Sequence, residues 1–184
     1  MEPASPPEAE RRLFVGLMAP PTVREAVLAW RGQWQWPHRS ALSAPAHLHL
    51  TLFFLGQTPE SRIDALVQAL SAVPFEPFTI HLGRPEHWPR GLVVLRPAPQ
   101  PKLDALHAAV VLALRSAGFD APEALAWKPH LTLARKAVAA RPPAQGLQVD
   151  WPVGRFALVW SRLPPSVPRA HYEPIAQWPD APSA

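Results

Sequence analysis

Two short stretches of this 184-residue chain carry the same chemistry: His49-Leu50-Thr51-Leu52 and His130-Leu131-Thr132-Leu133, each reading histidine, apolar, threonine, apolar. In an extended strand, neighbouring side chains point to opposite faces. His49 and Thr51 therefore share one face, as do His130 and Thr132, while the leucines share the other and can be pinned into a core. Each copy holds an imidazole beside a hydroxyl on a rigid mount. With an ordinary pKa of about 6.5, one imidazole can be neutral and take a proton while another, protonated, gives one. Two such groups brought together form an acid–base pair that can open a phosphodiester without a metal. The threonine hydroxyls would donate to the non-bridging oxygens as negative charge builds there. One copy alone is more often a histidine satisfied by a nearby hydroxyl. The second copy, in similar surroundings, favours chemistry.

Other residues compete weakly for a role. His47 shares a face with His49, and His-x-His is half of a metal site, but the nearest carboxylates, Glu60 and Asp64, fall on a following helix. His81, His87, His107 and His171 lack a hydroxyl two residues on and read as structural or surface groups. Lys128 alternates onto the His130 face, where it either adds positive charge or points to solvent. The loop Gly32–Ala46 contains Trp34, Trp36, His38 and Arg39, which either pack or contact RNA. With no cysteine in the sequence, thiol nucleophiles, Cys-based zinc sites and iron–sulfur clusters are excluded. Eighteen Lys and Arg against 14 Asp and Glu give a net charge of +4, a bias that suits an anionic substrate but falls short of a polybasic DNA-binding surface.

The elements that must position these residues follow from periodicity and punctuation. Residues 1–10 read as a disordered leader, 11–179 as one domain with two lobes, and 180–184 as a tail. Arg12–Met18 has strand composition, and Pro20-Pro21 precede a helix with apolar Val23, Val27 and Trp30. His47–Phe54 reads as a strand ended by Gly56, followed from Pro59 by a helix. Phe78–Leu82 and Gly91–Arg96 read as strands joined by a long turn-rich connection, Gly83–Arg90. Lys102–Ala117 is an amphipathic helix closed by Gly118, and His130–Ala134, Phe156–Trp160 and Tyr172–Trp178 complete the strands. Strand, helix and strand precede each histidine motif's junction, so the expected fold is α+β, two sheet-plus-helix lobes related by internal duplication. No window has the ~18 apolar residues of a membrane span, and the N-terminus lacks a signal-peptide pattern, so a soluble cytoplasmic protein is expected.

The runs His49-Leu50-Thr51-Leu52-Phe53-Phe54-Leu55-Gly56 and Pro129-His130-Leu131-Thr132-Leu133-Ala134-Arg135 closely resemble the paired motifs of the two-histidine phosphoesterase superfamily, in particular its LigT-like RNA 2′,3′-cyclic phosphodiesterases, once called 2′-5′ RNA ligases. The likeness extends to Arg12-Leu13-Phe14-Val15-Gly16-Leu17, to Val93-Val94-Leu95, and to Ser161 with Tyr172-Glu173-Pro174. It implies a bilobal α+β fold, with two pseudo-symmetric antiparallel sheets flanked by helices around a central cleft. It further implies His49 and His130 as the acid–base pair, Thr51 and Thr132 as phosphate ligands, Arg135 as a phosphate contact and Phe54 beside the nucleotide. Strict alternation puts Arg135 and Phe54 on the leucine face. Arg135 then reaches the phosphate only if its strand ends or twists or its side chain reaches round, and Phe54 either stacks on a base or packs in the core. The implied reaction is metal-independent hydrolysis of an RNA 2′,3′-cyclic phosphate end to a 2′-phosphate, with a 2′-5′ ligase side activity and no cofactor. The implied partner is RNA rather than DNA or membrane, and the implied working unit is a monomer. A small cyclic nucleotide, a 2′-5′ oligonucleotide or a non-catalytic RNA-end binder are the alternatives. Arg141-Pro142-Pro143 departs from the family pattern and breaks a helix otherwise expected there.

Overall fold

Leucines at alternate positions around each histidine drive the two motifs into strands, and those strands lie at the middle of an antiparallel sheet. The computed structural model describes residues 8–119 and 127–179. Its strands are β1 (Glu10–Met18), β2 (Ala41–Leu42), β3 (His49–Pro59), β4 (Phe78–Trp88), β5 (Leu92–Pro97), β6 (Leu131–Arg135), β7 (Val149–Val153), β8 (Phe156–Arg162) and β9 (His171–Trp178). Three α-helices accompany them: α1 (Pro21–Arg31), α2 (Ile63–Ser71) and α3 (Pro101–Ser116). The strand order is β7-β4-β5-β6-β3-β1-β8-β9, with β2 also pairing β6.

That continuous order conceals a seam. β3 and β6, the two motif strands, are joined by a single bridge, Leu50 opposite Leu131. On one side β3 belongs with β1, β8 and β9; on the other β6 belongs with β5, β4 and β7. The two sheet halves are the two lobes, and the bridge is where they touch. Continued past the bridge, antiparallel pairing would set Leu52 opposite Pro129, which has no N–H to give. In the other direction β2 takes over the edge of β6, with Leu42 opposite Ala134 and Ala41 opposite Arg135. The strands therefore separate on both sides of the contact.

The leucine face of the sheet is covered by the helices. Leu50, Leu52, Leu131 and Leu133 are fully buried, in one core with Val23 and Val27 of α1, Leu66 and Leu70 of α2, and Leu103, Val110 and Leu114 of α3. Each such leucine contributes about 1.5–3 kcal/mol of burial relative to exposure. α1 packs against β7 and α3 against β3 as well as β4, so helices following one half cover strands of the other. No helix among the described residues is long and apolar enough to cross a membrane.

Several expectations change. β3 runs on past Gly56, whose positive φ of 72° carries the chain on to Pro59 rather than ending the strand. The supposed long connection Gly83–Arg90 is mostly strand: β4 continues to Trp88 opposite Leu92, leaving a tight turn at Pro89–Gly91 with Arg90 and Gly91 at φ of 63° and 71°. Turn-type composition misled there because an irregularity between Leu82 and Arg84 accommodates Gly83, and Pro85 is tolerated in the strand beyond it. Glu10 already pairs with Pro59, so the first strand begins two residues before the expected Arg12, inside the stretch that reads as a leader. Residues 1–7 and the tail 180–184 lie outside the described residues.

One glycine is required by a close approach. A Cβ on Gly16 of β1 would lie 2.8 Å from the backbone oxygen of Leu50, between the two residues of the first motif. We therefore expect Gly16→Ala to push β3 outward, lowering the thermal midpoint and reducing turnover by roughly 10- to 100-fold, the scale of a sub-ångström to ångström misplacement of reacting groups. Thermal melting and steady-state rates measured together check this, and an unchanged rate would show that β3 does not hold His49 in register.

Candidate active site

On the face away from the helices, one cavity of about 330 Å³ is lined by His49, Thr51, His130 and Thr132 together, the four residues expected from the repeat. The bridge explains their meeting. With Leu50 across from Leu131, His49 falls across from Thr132 and Thr51 across from His130, all four on the same face.

The two imidazoles are held alike. His49 Nδ1 donates to the carbonyl of His47 at 2.6 Å, and His130 Nδ1 donates to the carbonyl of Lys128 at 2.8 Å, in each case two residues back along the chain. Since a carbonyl only accepts, each Nδ1 carries the proton, and in the neutral ring Nε2 is the free basic nitrogen. His49 Nε2 accepts from the Thr51 hydroxyl at 3.2 Å.

Their surroundings differ. The His49 ring lies between Phe14, 4.7 Å away centroid to centroid, and Tyr172, edge-on at 5.2 Å. Burial pushes its pKa from 6.5 down to about 4, against the pull of the His47 carbonyl, and His130, His47 and Arg135 add repulsion. His130 is less enclosed. Its pKa is lowered too, first by burial and then, against the Lys128 carbonyl, by Arg96 and Arg135.

Arg135 and Phe54 also line the cavity, although strict alternation would have turned both away. The cause is the same irregularity in both motifs. Opposite β1, Val15 pairs Phe53 and Gly16 pairs Thr51, leaving Leu52 as an extra residue. Opposite β5, Val93 pairs Ala134 and Val94 pairs Thr132, leaving Leu133 extra. A bulge after the threonine flips the alternation, so the residue five places after each histidine returns to the histidine face. In one half that residue is Phe54, 46% exposed, and in the other it is the exposed Arg135.

The sequence reading missed further members of the site. Arg12, Phe14, Ser161 and Tyr172 line the same cavity. The Arg12 guanidinium lies 4.7 Å over the Phe54 ring, and Tyr172, the chain's only tyrosine, stacks on His47 at 4.3 Å. His47 thus supports Tyr172 and, through its carbonyl, orients His49; no cluster of metal-ligand type occurs among the described residues. Beside His130, the Trp88 ring lies 4.6 Å away, its Nε1 donating to Glu86 at 2.8 Å, and Glu86 in turn faces Arg96 at 3.9 Å. Trp88 was out of reach of sequence reasoning because its stretch, Gly83–Arg90, reads as a connection, and Arg96, which reads as part of a strand, because no pattern shows that its strand lies beside β6. Trp34 and Trp36 of the Gly32–Ala46 loop are not in the cleft: they stack on each other at 4.8 Å, and Trp34 is buried against Trp30. None of the described residues lining the cavity is acidic, and two are arginines, so it is built for an anion.

Comparison with known proteins agrees with this geometry. A family model described as the 2′-5′ RNA ligase superfamily matches residues 19–163. An RNA 2′,3′-cyclic phosphodiesterase of Thermus thermophilus is 35% identical over 175 residues, covering 85% of each chain. Another, from Escherichia coli, is 30% identical over 172 residues, covering 91% of this chain and 96% of its own. The crystal structure of E. coli LigT complexed with 3′-AMP superposes with a TM-score of 0.82 at 27% identity, over 92% of this chain and 98% of that one.

The unequal enclosure of the two imidazoles has a direct readout. In NMR titrations of the free protein we expect His49 to titrate near 4 and His130 below the ordinary 6.5, and His130→Ala to raise the His49 value by removing one repelling neighbour. A His49 that titrates at 6.5 or above would contradict the enclosure by Phe14 and Tyr172.

Proposed function

The chain belongs to the 2′-5′ RNA ligase superfamily, and on that premise we propose that it hydrolyses RNA 2′,3′-cyclic phosphate ends to 2′-phosphates, with His49 and His130 as its acid–base pair. The observation that carries this reading is the convergence of both histidine–threonine pairs on one cationic cavity. Two relatives that match over most of their own length are RNA 2′,3′-cyclic phosphodiesterases.

The cyclic phosphate sits between the two Nε2 atoms. His49, whose burial keeps it neutral, takes a proton from water as the water oxygen bonds to phosphorus. The bond from phosphorus to the 3′ oxygen breaks, and His130, entering protonated, gives its proton to that oxygen. The products are a 3′-hydroxyl and a 2′-phosphate, and the two histidines have exchanged protonation states. Thr51, Thr132 and Arg135 hydrogen-bond the non-bridging oxygens, whose charge rises in the transition state. An anion in the cavity favours the imidazolium form, so bound substrate offsets the repulsion from Arg96 and Arg135 that lowers the His130 pKa in the free protein. Phe54, exposed beside this centre, offers a ring for the terminal base.

The substrate class follows from the chemistry. A 2′,3′-cyclic phosphate needs a 2′-hydroxyl, so the reaction is confined to RNA and ribonucleotides, and DNA is not a substrate. A substrate of RNA ends supports the cytoplasm as the compartment where the protein works. Both halves of the site come from one chain, which supports a monomer as the working unit, and no step calls for a metal or cofactor. With the 5′-hydroxyl of a second RNA in place of water, the same proton transfers would break the bond from phosphorus to the 3′ oxygen and form a 2′-5′ phosphodiester, a ligase side activity.

The test is hydrolysis of a short RNA ending in a 2′,3′-cyclic phosphate, in the presence of EDTA, with the position of the product phosphate determined. Wild type is expected to yield the 2′-phosphate at a rate EDTA does not change, and His49→Ala and His130→Ala each to lower kcat by roughly 10²–10⁴-fold. A variant that keeps full activity would overturn the mechanism. Binding of the cyclic end without turnover would leave a non-catalytic end-binding protein.

A further inference from the structure

Beside the catalytic cavity lies a second, larger one of about 610 Å³, and the two share Thr51, Phe54 and His130 as a common wall. It opens where β3 and β6 separate beyond their single bridge, between Leu52–Phe54 on one side and Trp127–His130 on the other. Resting on the cyclic phosphodiesterase reading, we propose that this groove is a subsite for the base of the nucleotide preceding the cyclic end, making the enzyme a reader of oligonucleotide ends rather than of free cyclic mononucleotides.

Three observations carry the assignment. First, the groove is continuous with the catalytic cavity, so a chain leading away from a phosphate held between His49 and His130 has a route past Phe54 into it. Secondly, its lining suits single-stranded RNA: the aromatic rings of Phe54, Trp88 and Trp127 with the cation Lys128, and no acidic residue among the described ones. Rings accept any base face, and a neighbouring cation tracks the backbone phosphate.

Thirdly, both indoles are fixed in advance. Trp127 donates its Nε1 proton to the Thr51 carbonyl at 3.3 Å, bridging the strands where Pro129 cannot, and its ring stacks flat on His107 at 3.9 Å with an interplanar angle of 1°. Trp88 is tied by its Nε1 to Glu86. Neither ring satisfies its N–H by turning toward solvent. A ring already held in place loses little freedom when a base stacks on it, so the platform is preorganised. A mononucleotide seated in the catalytic cavity leaves this platform unused.

The experiment compares kcat/KM for three substrates with the whole wild-type protein: a ribonucleoside 2′,3′-cyclic phosphate, a trinucleotide ending in the same cyclic nucleotide, and that trinucleotide with an abasic residue next to the end. The trinucleotide should exceed the mononucleotide by roughly 5- to 150-fold, the worth of one stacked base, and the abasic substrate should lose most of that advantage. In Trp127→Leu the trinucleotide-to-mononucleotide ratio should fall toward one. A wild-type ratio near one, or an abasic trinucleotide as good as the intact one, would overturn the subsite. So would a variant that slows both substrates equally, because Trp127 would then act only on the fold. Failure of all three substrates to react would instead sink the phosphodiesterase reading itself.

Discussion

A single backbone bridge, Leu50 to Leu131, sets what the rest of the molecule can do. It is the only paired position between the motif strands, yet it fixes the register between the two sheet halves. A slip of one residue would turn one histidine–threonine pair into the helices and bring the leucines out. The fully buried leucines on either side make such a slip costly, since each would lose its burial and strand a polar group in the core. The helices packed across the seam oppose separation of the halves. The active site is therefore held by its reverse side: the apolar face is locked, and the polar face presents what the lock leaves over.

The narrowness of that contact also creates space. Strands paired along their whole length would leave a flat sheet at the active site. Here Pro129 ends the ladder on one side and β2 displaces β3 on the other, so the surface around His130 opens into a catalytic cavity and an aromatic groove. Charge completes the arrangement. Arg12 and Arg135 make the cavity attractive to an anion; burial first, and then repulsion from Arg135, holds both free imidazoles low in pKa, and a bound phosphate offsets that repulsion.

Much of this was legible in the sequence, and the parts that were not share a cause. The alternation of leucines with His and Thr located both motif strands and the face they present, because burial of one sheet face dictates a period of two. The amphipathic run from Leu103 to Leu114 located α3 to within a residue. What alternation could not show is where it breaks. The extra residues at Leu52 and Leu133 leave no mark in composition, yet they return Phe54 and Arg135 to the catalytic face. Arg12, Tyr172, Trp88 and Arg96 reach the site through strand pairings distant in the chain, which one-dimensional patterning does not encode. Gly83 and Pro85 looked like turn residues and sit in a strand because an irregularity absorbs them.

The central claim is that two imidazoles, one from each half, exchange protons with the substrate in opposite directions. The most direct measurement is the pH dependence of kcat/KM for a short RNA with a 2′,3′-cyclic phosphate end, from about pH 3.5 to 9. The base must be neutral, so activity is lost on the acid side as His49 gains a proton, with a limb near 4. The acid must be protonated, so activity is lost on the alkaline side as His130 gives its proton up, with a limb below the ordinary 6.5. The account predicts a bell with its maximum on the acid side of neutrality, its limbs being the macroscopic values of the pair. A rate flat from about pH 5 to 9, or one rising steadily to an alkaline plateau, would contradict a two-histidine mechanism.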